Sequence, residues 1–128
     1  MKKIRWGIMG TGRIAGVFCN TLKELEQADI YAVASRNGEK AEEFGSRYNA
    51  VKCYGSYEEL VTDDKVDIIY VATPIMCHYD NVKLCLEAGK HVLCEKAISR
   101  SVEEAKELYS LAKAKKLFLM EGMWSKCQ

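Results

Sequence analysis

A glycine-rich turn near the start of the chain constrains the fold more than any other stretch. It consists of Gly10, Thr11, Gly12, Arg13, Ile14 and Ala15. The turn follows an apolar run that predicts a strand over residues 4–9, and it opens a helical pattern. Gly10 permits a tight turn, Gly12 lets a pyrophosphate approach the backbone, and Ala15 lets the helix pack close to the strand. Free N–H groups at the helix start would then face the phosphates, so residues 10–14 are predicted to bind a cofactor. An ordinary strand–turn–helix corner is the alternative.

Apolar runs alternate with helical patterns along the whole chain. The predicted strands cover residues 4–9, 30–34, 51–54, 66–72, 91–94 and 117–120. This alternation is typical of an α/β protein with a Rossmann-type, doubly wound parallel sheet. Right-handed crossovers predict the strand order 3-2-1-4-5-6. We place this single domain at residues 1–121 of the 128-residue chain, and residues 122–128 at the start of a link to something further.

Each helix is predicted to bury one face against the sheet. The first helix is expected to bury Ile14, Val17, Phe18, Leu22 and Leu25, and to be broken by Asp29. The last helix is expected to bury Val102, Ala105, Leu108 and Ala112. The S-x-x-E pattern at residues 56–59 and 101–104 predicts a capping box at the start of two helices.

The balance of charge argues against two classes of partner. The chain has 19 basic and 18 acidic side chains, a formal net charge of +1. This balance lacks the basic excess that favours nucleic acid or an anionic membrane surface. No apolar run approaches the length needed to cross a membrane.

The six cysteines indicate a reducing compartment. Cys53, Cys85 and Cys94 lie in apolar runs, which is typical of buried free thiols, so we expect a cytoplasmic protein without disulfides. No CxxC pair occurs, and the only histidines are His78 and His91. The sequence therefore predicts no metal site.

Ligands of a doubly wound sheet lie beyond the carboxyl ends of its strands. After the second strand the chain carries Ser35 and Arg36, where an NAD-binding domain places an acid for the ribose 2′-hydroxyl. A guanidinium there can pair with a 2′-phosphate and stack on the adenine, so we predict NADP. A solvated loop arginine is the alternative, and it leaves NAD open. Thr73 and Pro74 follow the fourth strand and complete the predicted cofactor contacts at this edge.

Lys96 is the candidate catalytic residue. It follows the fifth strand directly, and its ammonium can donate to a substrate oxygen and favour an alkoxide. Glu95 could orient it, and both residues are also predicted to lie at the cofactor. A solvated lysine is the alternative. His78, in the first turn of the helix after Pro74, is predicted equally as a cofactor contact or as an ordinary structural residue.

These motifs together resemble a known enzyme family. They are residues 4–15, Ala72-Thr73-Pro74 with His78, Ala88-Gly89-Lys90-His91-Val92, and Glu95-Lys96. The combination is similar to the glucose–fructose oxidoreductase / inositol dehydrogenase family (Gfo/Idh/MocA), and most like its dihydrodiol and NADP-dependent D-xylose dehydrogenases. The resemblance covers essentially the whole chain.

The resemblance implies an N-terminal cofactor domain of an NADP-dependent oxidoreductase acting on a sugar, polyol or diol. It also implies that Lys96 matches the catalytic lysine of an E-K-P motif, although Ala97 stands where the family has proline. A second α/β domain, which supplies substrate contacts and the dimer interface in the family, is missing. We therefore expect cofactor binding without useful turnover by this chain, and a homo-oligomer for a full-length form.

Two other functions stay open at this stage. One is a stand-alone module that binds or senses NADP(H) without chemistry, which has no need of Lys96. The other is a methyltransferase, which is less favoured because such enzymes keep an acid where Arg36 stands.

Overall fold

A six-stranded, all-parallel sheet forms the centre of the molecule. The computed structural model describes residues 3–122. The strands are β1 (Ile4–Met9), β2 (Ala28–Ala34), β3 (Lys52–Tyr54), β4 (Ile68–Val71), β5 (His91–Glu95) and β6 (Leu119–Gly122). Their order is β3-β2-β1-β4-β5-β6, and every neighbouring pair is parallel. The predicted order 3-2-1-4-5-6 is thus confirmed, and the switch between the two halves of the sheet lies between β1 and β4.

Within residues 3–122, five α-helices cross over between the strands. They are α1 (Arg13–Leu22), α2 (Gly38–Arg47), α3 (Tyr57–Val61), α4 (His78–Glu87) and α5 (Val102–Ala114), and a 3₁₀ turn at Ile75–Cys77 leads into α4. Side chains of β1 alternate between the two faces of the sheet, so Ile8 and Met9, both fully buried, belong to different cores. The core around Ile8 contains side chains of α1 and α2, and the core around Met9 contains those of α3, α4 and α5. The doubly wound architecture is therefore present.

Two serine N-caps begin their helices as the sequence predicts. Ser56 Oγ accepts from the N–H of Glu59 at 3.2 Å, and Ser101 Oγ accepts from the N–H of Glu104 at 3.1 Å. The reciprocal half of each capping box is altered. Glu59 Oε1 accepts from the Ser56 hydroxyl, and Glu104 Oε1 accepts from the N–H of Arg100.

The buried face of α1 differs from the prediction. The residues facing the sheet are Ala15, Phe18, Cys19 and Leu22. Ile14, Val17 and Leu25 are 40%, 36% and 53% exposed. Small side chains at 15 and 19 allow the helix to lie close to the sheet, and Leu25 lies beyond the end of the helix at Leu22.

Other predicted details also need correction. The helix ends well before Asp29, which lies inside β2 opposite Arg5 of β1. Val102 is 63% exposed because it is the first residue of α5, and Leu108 and Ala112 carry the buried contacts. Cys53 is only partly buried, whereas Cys85 and Cys94 are fully buried as predicted.

Candidate functional site

A cavity of about 800 Å³ opens at the carboxyl ends of β1, β2 and β4. Eight of the twelve residues predicted to bind a cofactor line it: Gly10, Thr11, Gly12, Ile14, Ser35, Arg36, Thr73 and Pro74. The other four, Arg13, His78, Glu95 and Lys96, are not part of its wall. The structure thus gathers the residues that follow three different strands into one cavity at the switch point.

The two glycines of the turn have different roles. Gly10 has φ of +107°, and a Cβ there would lie 2.8 Å from the carbonyl oxygen of Ala72. A side chain at this position would therefore collide with the end of β4. Gly12 has extended backbone with φ of −84°, and a Cβ there would meet no atom within 4 Å. The space at Gly12 belongs to the cavity, so its bare backbone leaves room for a diphosphate.

The first turn of α1 is available to an anion. No side chain caps it, and it carries no acidic residue. The first N–H groups of a helix lack acceptors within the helix, and together with the helix dipole they favour negative charge. The glycine turn and this helix start therefore fit the diphosphate of a dinucleotide.

Arg36 extends from the end of β2 along the cavity wall, and it is exposed to solvent. Tyr57, the first residue of α3, lies beside it on the same wall. Burial raises the pKa of the Tyr57 hydroxyl, and the hydrogen-bonded, positively charged Arg36 acts in the opposite direction. Tyr57 and Arg36 are therefore neighbours on the cavity wall.

Two further cations line the cavity. Lys40 and Arg47 both project from α2, and Glu43, the one acid among the described lining residues, lies 3.9 Å from Arg47 across one turn of that helix. The lining that Arg36 and α2 contribute is therefore net positive, which suits a phosphate. Sequence reasoning missed Lys40, Arg47 and Tyr57. Lys40 lies in the first turn of the helix that follows Arg36, whereas Tyr57 comes from a distant part of the chain.

The loop that carries Arg36 is fixed on both sides. The Oγ of Ser35, a buried side chain, accepts from the N–H of Asn37 at 3.2 Å. The Oδ1 of Asn37 accepts from the N–H groups of Glu39 and Lys40 and so caps α2. Ser35 therefore has a local structural role, and Arg36 projects from an ordered turn.

The structure gives Glu95 a role inside the protein. Glu95 ends β5, is only 8% exposed, and its Oε2 accepts from the hydroxyl of Tyr70 at 2.5 Å. Its carboxylate is therefore held against β4. This contact supports the backbone that leads into Lys96. The catalytic role predicted for Glu95 stays a prediction.

His78 is likewise an internal residue, only 1% exposed. Its Nε2 lies 2.7 Å from the carbonyl oxygen of Thr73, and its Nδ1 lies 2.6 Å from that of Ala97. Because both ring nitrogens lie against backbone oxygens, the geometry favours the structural one of the two roles predicted for His78, and the cofactor contact stays a prediction. The imidazole links the edge of the cavity to the segment after Lys96.

Lys96 is exposed at the carboxyl end of β5, the strand next to β4. The peptide bond from Lys96 to Ala97 is cis. Because the Lys96 side chain is exposed, its ammonium can reach toward the edge of the sheet at which the cavity opens.

In the part of the chain that the structure describes, no group of three His, Cys, Asp or Glu side chains could hold a metal ion. Within residues 3–122, no helix has both the length and the apolar surface that crossing a membrane requires.

Fold and site together define a dinucleotide-binding domain of the Rossmann type. Residues 4–123 match the model of the GFO_IDH_MocA oxidoreductase family, which has an NAD-binding Rossmann fold. The chain belongs to this family, as the motifs predict.

Two curated relatives illustrate the match. The chain is 50% identical to D-xylose 1-dehydrogenase (NADP(+)) of Hypocrea jecorina, over 96% of this chain and 34% of that protein. It is 43% identical to trans-1,2-dihydrobenzene-1,2-diol dehydrogenase of Mus musculus, over 96% of this chain and 38% of that protein. The chain therefore spans little more than a third of the length of these relatives.

A solved structure gives the same picture. A 3-ketoreductase of Actinomadura kijaniata in complex with TDP-benzene and NADP superposes with a TM-score of 0.90 at 32% identity. The match covers 94% of this chain and 38% of the ketoreductase.

Proposed function

We propose that this chain is the NADP-binding part of an oxidoreductase that acts on a hydroxyl group of a sugar, polyol or diol. The observation that carries the proposal is the pairing of an open glycine turn at the start of α1 with a cationic wall at Arg36. NADP-dependence named for the Hypocrea jecorina relative, and NADP in the Actinomadura kijaniata complex, support this choice of cofactor.

Different residues of the cavity would bind different parts of the cofactor. The backbone at Gly12 and the first N–H groups of α1 would hold the diphosphate. Arg36, supported by Tyr57 and accompanied by Lys40, would hold the 2′-phosphate by charge-assisted hydrogen bonds. No acid follows β2 to repel that phosphate, since Ser35 stands there.

We assign Lys96 to the substrate. A bound NADP would supply the hydride acceptor or donor. The Lys96 ammonium would donate a hydrogen bond to the substrate oxygen and stabilise its negative charge. Its place at the carboxyl end of β5, the strand next to β4, supports this role.

We further propose that the 128-residue chain binds cofactor without turning over substrate. Proximity and orientation of the substrate supply about 7–11 kcal/mol of such a barrier. The curated relatives are nearly three times longer, which leaves room for substrate contacts outside this domain. A homo-oligomer for a longer form and a cytoplasmic location are part of the same proposal, the latter because the five described cysteines are free thiols.

The decisive test is titration of the chain with NADPH and NADH, monitored by calorimetry. We expect tighter binding of NADPH, and Arg36→Ala should weaken it by about 1.5–3 kcal/mol, the range for a hydrogen bond to a charged group. NADH affinity should stay almost unchanged. Lys113→Ala, an exposed cation on the last turn of α5, is the matched control. Equal affinities for the two cofactors would contradict the assignment of NADP.

A stand-alone binding module is the second candidate, because most of the cavity contacts serve the cofactor alone. An assay of NADP⁺ reduction distinguishes the enzyme from the binding module. It uses a chain extended beyond residue 128, with pentoses, hexoses, inositols and diols as substrates. Activity that the Lys96→Met variant loses supports the enzyme. Activity of the 128-residue chain equal to that of the extended form would overturn the proposed dependence on further residues.

A further inference from the structure

The segment after Lys96 is held by side chains from two other elements. The carbonyl oxygen of Ala97 lies 2.6 Å from Nδ1 of His78, at the start of α4. The N–H of Ile98 donates to Oε2 of Glu121, in β6, at 3.0 Å. Two consecutive backbone groups beyond Lys96 therefore have side-chain partners on opposite sides of β5.

The His78 contact connects this segment with the cavity. The same ring reaches the carbonyl oxygen of Thr73, a cavity residue, through Nε2 at 2.7 Å. A carbonyl oxygen only accepts, so each of these contacts is a hydrogen bond when the ring nitrogen in it carries the hydrogen. The position of Ala97 is thereby fixed relative to the end of β4.

The Glu121 contact fixes the segment from the other side. Glu121 pairs with Cys94 across the β5–β6 ladder, so its place relative to β5 is set by the sheet. Ile98 is 4% exposed and belongs to the core around Met9, which anchors the far end of the segment.

These bonds are needed because the sequence itself does not restrict the segment. Pro74 is the only proline of the chain, and Ala97 leaves both backbone dihedrals next to Lys96 unrestrained by a ring. A catalytic group misplaced by 1 Å can cost about 10²-fold in rate. Something other than local sequence must therefore hold the backbone from which the Lys96 side chain extends.

We propose that His78 and Glu121 are positioning residues that aim Lys96 at the nicotinamide end of the cofactor site. The inference rests on the proposed function, since it assumes that Lys96 works beside the bound cofactor. Neither residue lines the cavity. Each acts through the backbone of Ala97 or Ile98, and their removal should leave cofactor affinity within about twofold of the original while freeing Lys96.

The test uses paired variants of the 128-residue chain. Glu121→Ala removes the acceptor for the N–H of Ile98, and Glu121→Gln keeps an acceptor oxygen in the same place. His78→Phe removes both ring contacts. Folding is checked by circular dichroism, and the Glu121 pair carries the test if the buried His78→Phe substitution prevents folding.

The first readout is amide hydrogen exchange at Ile98. Because a hydrogen bond to a charged acceptor is lost, exchange in Glu121→Ala should be about 10- to 150-fold faster than in the original chain. Glu121→Gln should restore most of the protection. If amide exchange at Ile98 is unchanged in Glu121→Ala, the proposed role of Glu121 in holding the segment after Lys96 is wrong.

The second readout is the NMR signal of Lys96 after reductive ¹³C-methylation of the lysines, assigned by its absence in Lys96→Met. NADP⁺ is compared with 2′-phospho-ADP-ribose, which lacks only the nicotinamide. In the original chain and in Glu121→Gln, we expect an additional shift of the Lys96 signal with NADP⁺. In Glu121→Ala and His78→Phe this additional shift should be lost although both ligands still bind.

The outcomes separate the two proposals. An equal nicotinamide-dependent shift in Glu121→Ala overturns the positioning role and leaves the role of Lys96 intact. Absence of the shift in the original chain, with NADP⁺ bound, overturns the role of Lys96 and the positioning role with it. Failure of both ligands to bind overturns the cofactor assignment itself and the inference that depends on it.

Discussion

The hydroxyl of Tyr70 donates to Oε2 of Glu95 at 2.5 Å and so joins β4 to the end of β5 directly before Lys96. The ring of Tyr70 is fully buried and stacks on Phe18 of α1, with ring centroids 3.8 Å apart. The helix that begins at the glycine turn and the strand that ends directly before Lys96 are therefore both in contact with one tyrosine.

Replacing this tyrosine should lower stability. Tyr70→Phe keeps the stacked ring and removes the hydrogen bond to Glu95, so we expect a loss of about 1.5–3 kcal/mol in the free energy of unfolding. Tyr48→Phe removes a bond to a neutral acceptor, the carbonyl oxygen of Gly16 at 3.2 Å, and should cost only about 0.5–1.5 kcal/mol. Urea denaturation measures both. Equal losses would mean that the charge of Glu95 adds nothing to its bond with Tyr70.

The two glycines of the turn should respond oppositely to substitution. Gly12→Val should abolish cofactor binding while the fold persists, because its side chain enters open cavity space and its backbone is extended. Gly10→Ala should destabilise the fold, because its positive φ disfavours a side chain and the new Cβ would collide with Ala72. Circular dichroism and calorimetric titration distinguish these effects. A folded Gly12→Val variant that binds NADPH normally would show that the turn only connects β1 to α1 and does not bind the cofactor.

Asp63 should make stability depend on pH in the acid range. Burial raises the pKa of its carboxyl, but the Tyr54 hydroxyl at 2.7 Å and the N–H of Lys65 at 2.9 Å outweigh that effect, so the pKa is lowered overall. A lowered carboxyl pKa stabilises the fold above the unfolded-state value of about 3.9, and this contribution is lost as pH falls through the lowered folded-state value.

We therefore expect Asp63→Asn to be less stable than the original chain at pH 7, with the difference shrinking as pH falls below about 4. Denaturant unfolding at a series of pH values measures this difference. Asp64→Asn, at the exposed neighbouring position, is the control. If the stability difference between Asp63→Asn and the original chain stays constant as pH falls below about 4, titration of Asp63 does not cause the pH dependence.

The cysteines should react in an order set by their burial. Burial raises the pKa of Cys19 to about 12, and it also raises the pKa of Cys85 and Cys94. These three thiols should resist iodoacetamide at neutral pH, while the partly exposed Cys77 reacts first among the described cysteines. A timed reaction followed by peptide mass spectrometry gives the order. In denaturant six thiols should be counted without reductant, including Cys127, which lies outside the described residues; a lower count would contradict the expectation of a cytoplasmic protein.

The sheet was predictable because parallel strands are buried on both faces and appear as continuous apolar runs. The run at Ile4–Met9 has the same bounds in sequence and structure. The buried face of α1 was not predictable from hydrophobicity, since Ile14 lines the cavity and the smaller Ala15 packs inward. Close packing between helix and sheet requires small side chains at the contact, and a pattern of hydrophobic residues does not indicate side-chain size.

The cavity was predictable to the extent that it follows the ends of the strands. Arg36 and Thr73 are far apart in sequence, but parallel topology brings both to one edge. Tyr57 could not be found this way, because its place depends on where α3 settles after β3. The contacts of His78 and Glu121 with the Lys96 segment likewise depend on tertiary placement.

The division of the interior into two cores has a consequence for local unfolding of the domain. Each core could loosen with its own helices, since α1 and α2 pack on one face of the sheet and α3, α4 and α5 on the other. The cavity, however, has walls from both groups, with Ile14 belonging to α1 and Tyr57 to α3. A cofactor bound in this cavity would contact helices on both faces of the sheet. Local unfolding of the two cores, which can occur separately in the free domain, would then occur together in the cofactor-bound domain.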